Sequence, residues 1–233
     1  MLTTGNYSDH HTGHPDPTTT PRVLTILSYV LEKLVARNEQ LVEGLSQQQQ
    51  QLDHQHQGLM LTRLGKSLNA FHGVRAPSIS IPKYLERIYK YTSCSPSCLV
   101  VGYVYIDRLV HRHPDSLVVS LNVHRLLVTS VMIASKMLDD VHYNNAFYAR
   151  VGGVSNAELN RLEVELLFLL DFGVMVSSRV FESYCLYLEK EMLLSGGVQK
   201  VERTIFSPEI SAKASDTISS EPHDLEKDNQ PSL

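Results

Sequence analysis

Val123-His-Arg-Leu-Leu-Val-Thr-Ser-Val-Met-Ile-Ala-Ser-Lys-Met-Leu138 is the most hydrophobic helix-like stretch of the chain. At about 100° per residue its apolar side chains cover nearly the whole circumference, which predicts a helix at the centre of a bundle. One polar stripe, Arg125, Thr129 and Lys136, runs along it with Met132 among its members. Lys136 has two open interpretations. Its ammonium reaches water at the helix end, where a cation suits the helix dipole, or it contacts a partner protein.

A second stretch, Leu159-Asn-Arg-Leu-Glu-Val-Glu-Leu-Leu-Phe-Leu-Leu170, carries two glutamates in different surroundings. Glu165 and Arg161 lie on a polar edge and form an ordinary surface pair one turn apart. Glu163 shares its face with leucines instead, and a carboxylate beside apolar surface costs free energy unless it is paired or hydrogen-bonded. An internal ion pair, with Lys136 as a candidate, or donors from a partner protein would each satisfy it.

Helix start and stop signals on both sides of these stretches predict an all-α fold. Five helices are expected from residue 79 onward, because Ser80, Ser95-Pro96 and the capping box Ser155-Asn-Ala-Glu158 mark starts and Gly152-Gly153 marks a stop. Their predicted spans are 82–91, 96–112, 122–139, 145–151 and 155–172. An amphipathic helix is expected before them at 21–38 and a sixth helix after them at 178–194.

The composition of successive segments predicts the domain organisation. The expected parts are a disordered N-terminus at 1–20, an N-terminal helix segment at 21–45, a Gln-rich low-complexity insert in a surface loop at 46–63, a five-helix domain at 64–173, a C-terminal helix at 174–195 and a disordered tail at 196–233.

The overall composition excludes several classes of protein. A chain of 233 residues with 42% hydrophobic residues is long enough for one good core. A formal net charge of −4 provides no global basic field, so no nucleic-acid partner is expected. Charges interrupt every apolar window too early for a membrane span, and no signal-peptide pattern is present, so a nuclear or cytoplasmic location is expected. Three cysteines, an odd number, argue against a disulfide framework.

The remaining candidate sites are interpreted as structural. Asp107 ends a long uncharged run and is predicted to be a buried partner of Arg87 or of another basic residue. Asp139-Asp140-Val-His142 and Cys94-x₃-Cys98 contain metal-ligand residue types, but the first is typical of a solvated turn and the second lacks another cysteine pair. The phosphate-loop, dinucleotide and nucleophile-elbow motifs are absent, so the chain is not predicted to be an enzyme or to need a cofactor or metal.

Several motifs together resemble the cyclin box. They are Ile-Asp107-Arg-Leu, Ile-Ala-Ser-Lys136, and Leu-Asn-Arg-Leu-Glu163 followed by Leu-Leu-Asp-Phe172. Leu138-Asp-Asp-Val-His-Tyr-Asn-Asn145 and Tyr148-Ala-Arg-Val-Gly-Gly153 are typical of single-box, PHO-type cyclins. Pro21-Arg-Val-Leu-Thr-Ile-Leu-Ser and Phe71-His-Gly-Val-Arg-Ala-Pro-Ser-Ile-Ser80 are similar to plant U-type, or P-type, cyclins. The resemblance covers about residues 21–45 and 64–194.

This resemblance implies a five-helix cyclin box with one extra helix on each side. It also implies a non-catalytic subunit that binds and activates a cyclin-dependent protein kinase, with an A-type plant kinase as the expected partner, in cell division or a nutrient response. Lys136 and Glu163 match the positions that contact the kinase in cyclins, with Met132 and Leu167 beside them, whereas Asp107 matches a fold-supporting aspartate. The substrate-docking run of mitotic cyclins is not matched on the first box helix.

Two rival interpretations make different predictions. A cyclin-fold adaptor or transcription-related scaffold would bind partners without activating a kinase. A helical hydrolase using Asp139, Asp140 and His142 would require a bound metal.

Overall fold

A computed structural model describes residues 21–49 and 66–194, and every regular element in these ranges is helical. The all-α prediction is therefore confirmed for the part of the chain described. The predicted disordered segments 1–20 and 196–233, and residues 50–63 of the Gln-rich insert, lie outside it. The elements in chain order are α1 Arg22–Gln49, a 3-10 helix Lys66–Phe71, α2 Ile81–Thr92, α3 Pro96–Arg112, α4 Val123–Leu138, α5 Asn145–Gly152, α6 Asn156–Leu169 and α7 Ser178–Leu194.

Helix α4 is the central helix that its composition predicts, since every residue from Leu126 to Ser135 is buried. It packs against α2, α3, α5 and α6, most extensively against α3. The two helices approach closely at Gly102, where an added β-carbon would lie 3.0 Å from Cγ2 of Val131. Glycine at this position therefore sets the distance between α3 and α4.

Local capping signals explain where several helices begin and end. The Ser155 hydroxyl accepts a hydrogen bond from the backbone N–H of Glu158 at 3.1 Å, as the predicted capping box requires at the start of α6. The Glu158 carboxylate instead binds Arg125 of α4, with Oε1 2.7 Å from Nε. Ser80 and Ser95 occupy the cap positions of α2 and α3, but their side chains make no capping hydrogen bond.

Two helix boundaries differ from the predictions by more than one residue. Helix α1 runs for 28 residues to Gln49, so the predicted helix end at residue 38 is wrong by eleven residues, and the predicted surface loop is wrong at its first four residues, 46–49. Glutamine is a good helix former, and the helix is already nucleated by buried residues such as Leu24 and Leu31. Helix α6 stops at Leu169 rather than near residue 172, because the chain turns into left-handed backbone at Asp171.

The predicted ion pair between Asp107 and Arg87 is wrong. The Asp107 carboxylate, on α3, accepts a hydrogen bond from the hydroxyl of Tyr184 on α7 at 2.6 Å. Its Oδ2 also lies 3.3 Å from Nδ1 of His111. Arg87 of α2 donates to the backbone carbonyl of Arg150 at 3.3 Å. The two side chains point to different neighbours, since Asp107 faces α7 and Arg87 faces the end of α5.

No helix in the described ranges is long and apolar enough to cross a membrane.

Candidate partner-binding site

Lys136 and Glu163 form an ion pair where the end of α4 meets α6. Nζ of Lys136 lies 2.6 Å from Oε1 of Glu163. The other carboxylate oxygen accepts a hydrogen bond from Nδ2 of Asn145, at the start of α5, also at 2.6 Å. Three helices therefore contribute to one polar cluster. In the isolated chain, Lys136 satisfies the carboxylate that the helical wheel marked as unusual.

The pair remains accessible to a partner, because 28% of the Lys136 side chain and 17% of the Glu163 side chain are exposed. The Lys136 ammonium has three N–H donors, of which one is directed at Glu163. An internal ion pair and a partner contact are therefore compatible. The structure shows the first of these two interpretations, and the second remains a prediction.

Large apolar side chains are exposed along both helices that carry the pair. We define the apolar rim as Met137, Leu138, Val164, Phe168, Phe172 and Met175. Val164 and Phe168 lie one turn apart on the same side of α6. The rings of Phe168 and Phe172 pack edge to face with their centroids 5.2 Å apart. Met137 and Leu138 directly follow Lys136, and Val164 directly follows Glu163, so exposed apolar side chains adjoin a partly buried ion pair, as is typical of a protein-binding surface.

The structure tests two further predicted contact residues by their burial. Met132 has 0% of its surface exposed, so the prediction that it contacts a partner directly is wrong for this conformation. It shares the polar stripe with Lys136 but lies one turn deeper along α4, where neighbouring helices cover the whole circumference. Leu167 is half-buried beside Glu163 and stays a candidate contact.

The segment that leaves α6 has an unusual backbone. Asp171 and Phe172 have φ angles of 50° and 54°, in the left-handed region that favours glycine. The N–H of Phe172 bonds to the Leu167 carbonyl at 2.8 Å, and that of Asp171 to the Phe168 carbonyl at 2.9 Å. This is a Schellman motif with aspartate where glycine is usual. Non-glycine residues in such conformations cost about 1–3 kcal/mol each, and they concentrate at functional sites.

The turn after α4 contains the residues that the metal hypothesis considered. Oδ2 of Asp139 accepts hydrogen bonds from Sγ of Cys98 at 3.2 Å and from the hydroxyl of Ser135 at 3.0 Å. Burial alone would raise the pKa of Asp139, but hydrogen bonds from Cys98, Ser95 and Ser135 together hold that pKa below its ordinary value. Asp139 is half-buried, whereas Asp140 and His142 are exposed. Within residues 21–49 and 66–194, no group of three or more His, Cys, Asp or Glu side chains is arranged to hold a metal ion.

Comparison with known proteins identifies the family. A family model described as Cyclin matches residues 21–174. The chain belongs to the cyclin family. It is similar to Cyclin-U1-1 of Arabidopsis thaliana, with 70% identity over 183 residues that span 78% of this chain and 80% of that protein. Cyclin-U4-1 of the same plant is 45% identical over 179 residues, or 77% and 80% of the two chains. Cyclin-P3-1 of Oryza sativa subsp. japonica is 42% identical over 198 residues, or 84% and 76%.

These relatives confirm the resemblance to plant U-type and P-type cyclins. In this cyclin, the five helices predicted for the box are α2 to α6, with α1 before them and α7 after them, and the family match extends over α1 as well. Sequence reasoning missed most of the apolar rim, above all Phe168 and Met175. The spacing of Val164 and Phe168, together with Glu163 on the same helix, was the available signal. That signal is weak, because a large apolar residue at helical spacing is usually a core residue.

Proposed function

We propose that this cyclin is a non-catalytic regulatory subunit that binds and activates a cyclin-dependent protein kinase, and that an A-type plant kinase is its partner in the control of cell division. The observation that carries the proposal is the Lys136–Glu163 pair, partly exposed and bordered by the apolar rim. We expect the protein to be located in the nucleus or the cytoplasm, together with that kinase.

Activation by such a surface is a shift of population. A partner that binds the active arrangement of a kinase more tightly than the inactive one moves the equilibrium by that difference in affinity. In protein kinases the movable parts are the activation loop and the helix whose glutamate pairs with the ATP-binding lysine. The packed box supplies a rigid surface against which that helix can settle. No group of this cyclin has to take part in the chemical step.

The rim and the ion pair make different contributions. Burial of Phe168, Phe172 and their neighbours supplies affinity, at about 25 cal/mol per Å² of apolar surface removed from water. The charges of Lys136 and Glu163 fix the register of the partner, because a misplaced partner would leave them desolvated without hydrogen bonds. In the isolated chain Lys136 already has one polar partner and Glu163 has two, which lowers the cost of covering the pair.

Reversal of one charge tests the proposal. We expect Lys136→Glu to weaken binding to a purified A-type cyclin-dependent kinase by about tenfold or more, because two carboxylates would then meet at the rim. Kinase activity on a protein substrate is expected to fall with it. Affinity is measured by calorimetry, and activity by phosphate transfer at a fixed kinase concentration.

Lys33→Glu is the matched control. Lys33 also forms a lysine–glutamate ion pair, with Nζ 2.8 Å from Oε2 of Glu191, but it joins α1 to α7. This variant should bind and activate the kinase as the wild type does. If Lys136→Glu binds and activates the kinase as the wild type does, the assignment of this surface is wrong. If the wild-type protein itself binds the kinase but does not activate it, an adaptor role is favoured.

A further inference from the structure

Helix α3 holds the left-handed turn after α6 through hydrogen bonds to its backbone. Nη1 of Arg108 donates to the carbonyl of Gly173 at 2.7 Å and to that of Met175 at 3.0 Å. The hydroxyl of Tyr105, one turn earlier on α3, donates to the carbonyl of Val174 at 2.8 Å. Three consecutive carbonyls therefore accept hydrogen bonds from two side chains of a single helix.

These hydrogen bonds stabilise a backbone conformation that the segment does not favour by itself. Left-handed backbone is a genuine outlier for a bulky residue such as Phe172, and it persists only where the surrounding structure over-determines it. Gly173, Val174 and Met175 follow at once, so fixing their carbonyls also fixes the direction in which the chain leaves Phe172. The Phe172 side chain remains 59% exposed and packs against Phe168.

We propose that Arg108 is a positioning residue of the partner-binding surface: its guanidinium holds the carbonyls of Gly173 and Met175 and thereby keeps Phe172 and Met175 at the rim in the geometry that the kinase binds. The inference rests on the proposed kinase-binding function. The hydrogen bond from Tyr105 to the Val174 carbonyl helps to hold the same turn. Arg108 is only half-buried and lies on α3 rather than on either helix of the ion pair, and its effect on the partner is transmitted through the backbone of the turn.

The free protein supplies the first test. Arg108→Met keeps most of the apolar side chain and removes the donors. We expect the amides of Phe172 and Val174, which bond to the carbonyls of Leu167 and Phe172, to exchange with deuterium about tenfold faster in this variant. The amides of α4 should keep their protection. Arg112→Met is the matched control, since Arg112 lies one turn further along α3 and also reaches the turn, 3.8 Å from the Asp171 carboxylate and next to Gly173, but does not donate to the carbonyls that Arg108 holds. It should leave exchange in the turn unchanged.

Kinase binding supplies the second test, which separates positioning from a general structural role. We expect Arg108→Met to raise the dissociation rate of the kinase complex about tenfold. In a Phe172→Ala background the same substitution should add much less, because the side chain that Arg108 positions is gone. Additive effects of the two substitutions would overturn the proposal, and so would wild-type exchange in the turn of Arg108→Met.

The two proposals fail in different ways. If the wild type does not bind the kinase, the proposed function is wrong, and the exchange data still decide whether Arg108 holds the turn. If the wild type binds and Arg108→Met binds equally well, the inference alone is wrong.

Should Arg108→Met not fold, Tyr105→Phe replaces it, because it removes one hydroxyl from the same turn and keeps the ring. For Tyr105→Phe we expect a smaller rise in amide exchange at Val174 and a faster dissociation of the kinase complex. If one of these two quantities does not change, the proposal is overturned.

Discussion

At the scale of single residues, Lys136 has both an internal partner and the position of a contact residue. Its ammonium is 2.6 Å from Glu163 and is partly exposed. A stability measurement reports on the internal pair, and a binding measurement reports on the contact. An exchange of the two charges separates these roles, because it restores the pair and reverses its orientation toward a partner.

We expect Lys136→Glu alone to lower the free energy of unfolding by about 1 kcal/mol or more, since it places two carboxylates side by side at a partly buried position. The double variant Lys136→Glu/Glu163→Lys should recover most of that loss, because the Asn145 amide can turn to offer its oxygen to the new ammonium. Kinase binding should stay weak in the double variant. Urea unfolding and calorimetric titration check the two parts, and full recovery of binding would show that only the internal pair matters.

The sequence predicted which charged residues lie in unusual, apolar surroundings, but it did not predict all of their partners. Glu163 stood out because its helical neighbours are leucines, and its expected pairing with Lys136 is present. Asp107 stood out because it ends a long uncharged run, but it pairs with Tyr184, whose pKa is raised first by burial and then by this carboxylate. The choice of partner depends on how α3 is rotated about its axis, which the order of residues along one helix does not specify.

At the scale of secondary-structure elements, the N-terminus of α6 depends on one side chain. The Ser155 hydroxyl accepts from the Glu158 N–H, which has no partner within the helix. We expect Ser155→Ala to lower the free energy of unfolding by about 1 kcal/mol. Ser80→Ala is the control, because Ser80 occupies the cap of α2 without a side-chain capping bond and should cost much less. Urea denaturation of both variants measures the difference, and equal costs would contradict the expectation.

Element boundaries were predictable where a local signal marks them. Ser155 and the glycine pair 152–153 are such signals, and α5 and α6 end and begin at them as expected. The end of α6 carries no glycine at its left-handed position, so its sequence suggested a helix continuing to about residue 172. Besides the backbone bonds within the segment, the turn accepts hydrogen bonds from Tyr105 and Arg108 of another helix. A long-range contact of this kind leaves no mark in the local sequence.

At the scale of the whole molecule, the core depends on how closely α3 approaches α4. A β-carbon at Gly102 would lie 3.0 Å from the Val131 side chain and 3.3 Å from its backbone nitrogen. We expect Gly102→Ala to lower the free energy of unfolding by about 1–3 kcal/mol through overpacking. Gly44→Ala is the matched control in α1, where an added β-carbon meets nothing within 4 Å. Because alanine is a better helix former than glycine, Gly44→Ala should raise the free energy of unfolding by about 0.5–1 kcal/mol. The unfolding temperatures of the two variants should therefore shift in opposite directions.

The sequence by itself determined the helical class, the central place of α4 and most helix starts, because periodicity and capping act between residues at most four positions apart. Its motifs also determined the family. Only the tertiary structure decided that Met132 is buried, that Asp107 faces α7 and that Phe172 leaves α6 in a left-handed turn. These outcomes depend on the rotation and spacing of whole helices, which arise from packing all side chains at once rather than from any one stretch.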